Sequence, residues 1–242
     1  MRRRLSLVVV LLSGFALLCA GAALVHPVRS QDAPTLTPAA PMEIHLRVPA
    51  DDAMSLALAI HYANSAAPRS DALPVHIYLD GGTYAFAAAG TAQTPQFPSL
   101  SGHVILHGGA ATLAVEGTPI RLSPTAKVTM RHVRIEGRGE AGRSLLNEGT
   151  LTIEDSQISA LSGAEGGIAN AGRLTLVRVT LGAVRGRTAA PGGAIFNTGS
   201  TAGTCTAFLA NHASQGGALY NAEGGAVMLT KATFSGNTAN GG

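Results

Sequence analysis

From Val75 onward apolar and polar positions alternate, with Val75, Ile77 and Leu79 on one side and His76, Tyr78 and Asp80 on the other. That period of two is the mark of a half-buried strand. Farther along, the alternation acquires a longer rhythm. Leu174, Leu176, Val179 and Leu181 stand at offsets 0, 2, 5 and 7 of a repeating unit. The same offsets collect Val128, Met130, Val133 and Ile135, then Leu151, Ile153, Ser156 and Ile158, and near the end Val227, Leu229, Ala232 and Phe234. Thr201, Gly203, Thr206 and Phe208 form the weakest copy. A step of two, a step of three and another step of two describe two short strands joined by a corner that resets which side faces inward. A flat sheet needs no such corner in every repeat, whereas a coil does. The doublets Gly166-Gly167, Gly192-Gly193, Gly216-Gly217 and Gly241-Gly242 mark the same unit at spacings of 26, 24 and 25 residues. The pattern predicts an all-β fold over residues 75–242, a parallel β-helix whose turns stack like on like with strands roughly 4.8 Å apart.

The asparagines follow the same rhythm. Asn147, Asn170 and Asn197 each lie four residues before offset zero, and Asn221 lies six before it. In a coil the four reach one corner, where stacked amides hydrogen-bond along the column. Turn chemistry also favours Asn before x-Gly, but recurrence at a fixed place points to the ladder. Phe196 with Tyr220, and Phe208 with Phe234, occupy matching places and are expected to stack in the core. Upstream, Asp51 and Asp52 precede Leu56, Ala59, Ile60 and Ala63, a one-face spacing that predicts a single helix with an acidic N-terminus, within residues 49–74.

The first 30 residues have a different character. Arg2, Arg3 and Arg4 precede an uncharged run from Leu5 to Val25 that ends among small residues, as in a secretory signal. Residues 5–25 also suffice to span a bilayer, so a cleaved signal and an uncleaved anchor both fit. Leu18 before Cys19 is unlike a lipoprotein signal, and Cys205 has no cysteine partner once the signal is removed. Residues 31–48 begin as a Pro, Ala and Thr rich linker, with order expected near Glu43.

Charge changes meaning once this segment is set aside. The chain carries 17 Lys and Arg against 14 Asp and Glu, but Arg2, Arg3, Arg4 and Arg29 precede residue 31, leaving 13 against 14. A nucleic-acid partner is therefore not expected, because phosphate neutralisation needs a surplus of cations on the folded part. Charged residues make up 13%, there are 30 Gly and no Trp, as suits apolar inward positions and small corners.

GGAIFNTG at 192–199, GGALYNAE at 216–223 and ATFSGNTANGG at 232–242 resemble the right-handed parallel β-helix repeat of secreted proteins of the polymorphic outer-membrane protein and pectate-lyase-like families. The resemblance covers roughly residues 120–242, and SLALAIHYAN at 55–64 is similar to the helix that caps the first turn in such proteins. It implies an adhesin-like surface protein on one branch and a polysaccharide lyase or glycoside hydrolase on the other.

The enzymatic branch needs clustered acids, as a general acid and base or as calcium ligands. Glu154 and Asp155 are adjacent and point apart in an extended chain, while Glu136 and Glu140 sit in a loop with Arg134, Arg138 and Arg143 to pair with. No catalytic residue, cofactor or metal ligand is assigned. His103 and His107 share a strand face and suggest two metal ligands without a third, His132 being merely the nearest in sequence. Arg131, Arg134, Arg138 and Arg143 form a candidate patch for an anionic glycan or envelope surface, with a solvated loop as the plainer reading. The chain stops at a Gly doublet of the kind that opens each repeat, without a terminal cap, and is expected to be part of a longer secreted protein, incomplete at its C-terminus. The expectation is thus a monomeric, secreted or cell-surface scaffold, adhesin-like and without catalysis of its own. The alternative is a polysaccharide lyase or glycoside hydrolase with its active site in a missing C-terminal part.

Overall fold

A computed structural model describes residues 43–66, 73–90, 94–138, 144–159, 162–163, 167–186 and 191–241. Strands run through these residues in four parallel sheets, so the chain is a β-solenoid. Sheet A has eight strands, Ile44–Val48, Val75–Leu79, His103–His107, Lys127–Arg131, Thr150–Glu154, Arg173–Val177, Ser200–Thr204 and Ala226–Thr230. Sheet B follows it around the coil with seven strands from Thr83–Ala87 to Thr233–Ser235. Four short strands, from Ser162–Gly163 to Thr238–Ala239, make sheet D, and five, from Ile120–Leu122 to Leu219–Asn221, make sheet C. A full turn passes from A through B, D and C back to A.

The register agrees with the repeat residue for residue. Val128, Leu151, Leu174, Thr201 and Val227 are successive partners in sheet A, as are Met130, Ile153, Leu176, Gly203 and Leu229. Ile135, Ile158, Leu181, Phe208 and Phe234 do the same in sheet B. These side chains face inward, and Leu151, Leu174, Leu176, Leu181 and Phe208 are wholly buried. Each contributes about 1.5–3 kcal/mol by leaving water. Where Gly203 leaves room, Leu229 of the next turn fills the space a Cβ would take, its Cδ2 2.6 Å from that position. Phe208 and Phe234 stack at 4.7 Å, and Phe234, in the last turn, is 53% exposed.

Two kinds of corner hold the turns together. Between sheets A and B the chain turns on one residue of left-handed conformation: His132, Asp155, Arg178, Cys205 and Lys231 have φ between 48° and 55°. This backbone costs an L-residue about 1 kcal/mol or more. It persists because the corner amide stays in the ladder, with Asp155 N–H donating to the Val177 carbonyl and Arg178 N–H to that of Thr204. Between sheets C and A the asparagines form the expected ladder. Nδ2 of Asn147 donates to Oδ1 of Asn170 (2.7 Å), that of Asn170 to Asn197 (2.8 Å), and that of Asn197 to Asn221 (2.7 Å). Each also donates to a backbone carbonyl where the next strand of sheet A begins, at Arg173, Ser200 and Ala226. Below Asn147 the column holds Leu122, which has no donor, and Oδ1 of Asn147 has no hydrogen-bond partner. A second asparagine column closes the corner between sheets B and D, where Asn211 Nδ2 donates to Asn237 Oδ1 at 2.9 Å and to the Leu181 carbonyl at 3.0 Å.

The helix Ala53–Ala66 covers the first turn. Asp52 caps its start, accepting the Ser55 amide at 2.9 Å, and Leu56, Ile60 and Ala63 are buried beneath it. At its end Asn64 donates to the Ser99 carbonyl at 2.7 Å and accepts the Ser101 amide at 2.9 Å, tying the helix to the far side of the coil. The Tyr84 hydroxyl lies within 3.2 Å of the Val48, Pro49 and Asp80 carbonyls and locks the near side. Burial, with Asp80, Asp51 and Asp52 nearby, pushes its pKa up to about 12. Ile44–Val48, at the end of the segment read as linker, is the edge strand of sheet A. No helix among the described residues is long and apolar enough to cross a membrane, and residues 5–25 lie outside them.

Candidate functional site

The outer face of sheet A changes character along the coil. In the middle turns Thr129, Thr152 and Thr175 lie side by side in register. In the first turns the same column carries His45, His76 and Ile105, and the next carries Arg47, Tyr78, His107 and Arg131. Of the eight histidines in the chain, His45, His76, His103 and His107 project from this one surface.

Parallel register forces their rings into stacks. Tyr78 and His107 lie 4.3 Å apart and 4° from parallel, and His45 and His76 lie 4.8 Å apart at 23°. Rings stacked along the coil axis cover one another's faces and turn their edges outward. The surface therefore offers imidazole nitrogens and a phenol oxygen, and little open ring face on which a sugar would stack. His76 Nδ1 meets His107 Nε2 at 3.0 Å, so one nitrogen carries the proton and the other accepts it. Glu43 Oε2 approaches His45 Nε2 at 3.3 Å and His76 Nε2 at 4.0 Å. The facing nitrogens of His76 and His107 are spent on each other, and among the described residues no group of three or more His, Cys, Asp or Glu converges on a metal position. His103 and His107 do share their face, but the partner of His107 is His76, from the neighbouring strand.

Burial, then the neighbouring His45, lowers the pKa of His76, whose side chain is 14% exposed. Burial, then His76, lowers that of His107. With both folded values depressed, the folded state binds fewer protons than the unfolded chain. The stability they support is present above the ordinary imidazole value of about 6.5 and is lost as pH falls through the folded values. Denaturation midpoints are expected to fall between about pH 7 and pH 5, and His107→Thr to flatten that dependence. Thr suits the position because the same column holds Thr204 and Thr230 in later turns.

The four candidate arginines do not share one described surface. Arg131 lies on sheet A and pairs with Glu154 at 2.8 Å. Arg134 lies beyond the corner on sheet B, 3.6 Å from Glu136. The side chain of Arg138, and Arg143 altogether, lie outside the described residues. The corner itself forms an open groove of about 720 Å³ lined by His132, Arg134, Asp155, Gln157 and Arg178. Arg178 grips Asp155 through Nε and through Nη2 at 2.6 Å, which holds that carboxyl below its usual range. Glu154 on sheet A and Asp155 at the corner thus engage different arginines. Phe196 and Tyr220, expected in the core, stack at 5.8 Å on the outside of sheet C, because inward places on either side of Phe196 belong to Ile195 and Asn197.

These features define the class: a parallel β-solenoid repeat protein with an internal asparagine ladder and a histidine-rich outer face. No protein-family model, curated protein or solved structure matches the chain.

Proposed function

We propose that this is an exported, cell-surface solenoid that acts as a non-catalytic, adhesin-like scaffold. Its recognition surface is the outer face of sheet A in the first turns, and its partners are cell-surface glycans or envelope components. Export rests on the basic start and apolar run of residues 1–30. The observation that carries the binding reading is the engagement of three surface carboxylates by arginine. Glu154 with Arg131, Asp155 with Arg178 and Asp80 with Arg47 are each joined by hydrogen-bonded ion pairs. The lone pairs of a carboxylate so held are committed to a guanidinium, whereas the rigid sheet beneath presents polar ring edges in fixed register.

Retention on a panel of immobilised glycans, without release of reducing or unsaturated sugars, is the expected result. Turnover of a glycan by the purified chain would replace this reading with that of a polysaccharide lyase or hydrolase. Intact mass of the exported product reports whether residues 5–25 are removed or kept as an anchor.

A further inference from the structure

The fixed charges on the outer face of sheet A cancel over its first turns. Arg47, Lys127 and Arg131 stand against Glu43, Asp80 and Glu154, and two of these cations are paired to two of these acids. The net charge of the face is therefore set by His45, His76, His103 and His107. Tyr78, between the histidines, and His132, at the corner beyond Arg131, complete the titratable groups around the pair.

We propose that this face is a docking site for a linear polyanionic glycan, closed when its histidines are neutral and opened by protonation. The proposal rests on the reading of sheet A as the recognition surface and adds the partner's charge and the control of binding. Charge complementarity selects the partner. A neutral glycan gains nothing from protonation of the face, and a nucleic acid would want open ring faces for its bases, which the stacking of Tyr78 on His107 covers. A polymer bearing a carboxylate or sulfate along its length can instead meet charges placed one strand apart, roughly 4.8 Å.

The His76–His107 contact supplies the gate. In the neutral pair the shared nitrogens point at each other and are unavailable to a ligand. One proton is accommodated, because the contact still has a donor and an acceptor. A second puts N–H against N–H and drives the rings apart, freeing both edges for an anion. Burial and mutual repulsion oppose this second proton in the free protein, and a bound polyanion supplies the missing counter-charge. By linkage, ligand binding must draw protons onto the ladder.

The experiment is titration calorimetry of the purified chain with heparin and with polygalacturonate, as sulfated and carboxylated probes, at about pH 7.5 and about pH 5. Dextran serves as the neutral control. Both anionic probes are expected to bind about tenfold more tightly at the lower pH, with net proton uptake shown by buffers of different ionisation enthalpy. His76→Thr with His107→Thr is expected to reduce the affinity ratio and the proton uptake severalfold, leaving the smaller response of His45 and His103, with the Gln pair as a second variant if the Thr pair does not fold. Tight binding that ignores pH, or a pH response unchanged in the double variants, overturns the gate and leaves the recognition surface standing. Equal binding of dextran, or preference for single-stranded DNA or anionic vesicles over both glycans, overturns the partner assignment. Absence of binding to any glycan at either pH removes the recognition reading itself.

Discussion

Asn170→Ala is expected to cost about 2–4 kcal/mol of stability, because it strands several buried polar groups at once. Its amide accepts from Asn147 and donates to Asn197, and its Nδ2 also serves the Ser200 carbonyl at the start of the next strand. Asn147 keeps a bond to the Arg173 carbonyl and Asn197 keeps one from the Thr201 hydroxyl, so the column is weakened without being emptied. Asn170→Asp gives the sharper test. The carboxylate would face Oδ1 of Asn197 with no proton to donate, at a position only 1% exposed. Neutral pH should be worse for this variant than Ala. Protonation restores a donor, so the folded state holds the proton more tightly than the unfolded chain, and stability must rise as pH falls. Urea midpoints of Asn170→Asp that, measured against the parent chain at each pH, are flat or falling with acidification would show that the amide ladder is merely a matter of shape.

The second large effect is at Gly172. Gly149, Gly172 and Gly199 follow the ladder asparagines by two residues, and there the backbone of one turn passes against that of the next. A Cβ on Gly172 would meet the Gly149 carbonyl oxygen well inside 3.0 Å and would sit 2.7 Å from the Glu148 carbonyl oxygen. All the nearest atoms are backbone of the preceding turn, so no flexible side chain can give way. The Ala171 and Gly172 amides both donate to the Asn147 carbonyl, so any shift also strains those bonds. Gly172→Ala is expected to lose about 3 kcal/mol or more in chemical denaturation, beyond ordinary overpacking. Gly81→Ala, where an added Cβ meets nothing within 4 Å, is the control and should be close to neutral.

Much of this fold was legible in sequence because coils repeat. Inward positions such as Leu151 and Leu174 recur under identical constraints, and so do Asn147, Asn170 and Asn197. The histidine face was not. It lies where the turns are irregular, since the helix intervenes between the strands of His45 and His76, and residues 88–99 lengthen the turn before His107. A search at a fixed period cannot align residues that reach register through insertions of different length. His103 and His107 were visible as neighbours on one strand, whereas the contact of His107 with His76 depends on pairing between strands. The second asparagine column escaped for another reason. Asn211 and Asn237 share their corner with Val184 in the preceding turn, so the pattern has too few copies to stand out. Recurrence alone puts Phe196 and Tyr220 in the core, but recurrence also marks outward stacks. Only the neighbouring Ile195 and Asn197 decide which side faces in.

The left-handed corners between sheets A and B carry a mechanical consequence. By keeping the amides of His132, Asp155, Arg178 and Cys205 bonded to the following turn, they leave backbone hydrogen bonds running along the coil axis on both sides of the bend. Tension applied between the two ends loads these bonds along their length, one turn interface in series with the next, as in a row of latches. The load capacity of such a rod is that of its weakest latch and does not grow with the number of turns. Adding turns lengthens its reach at constant strength.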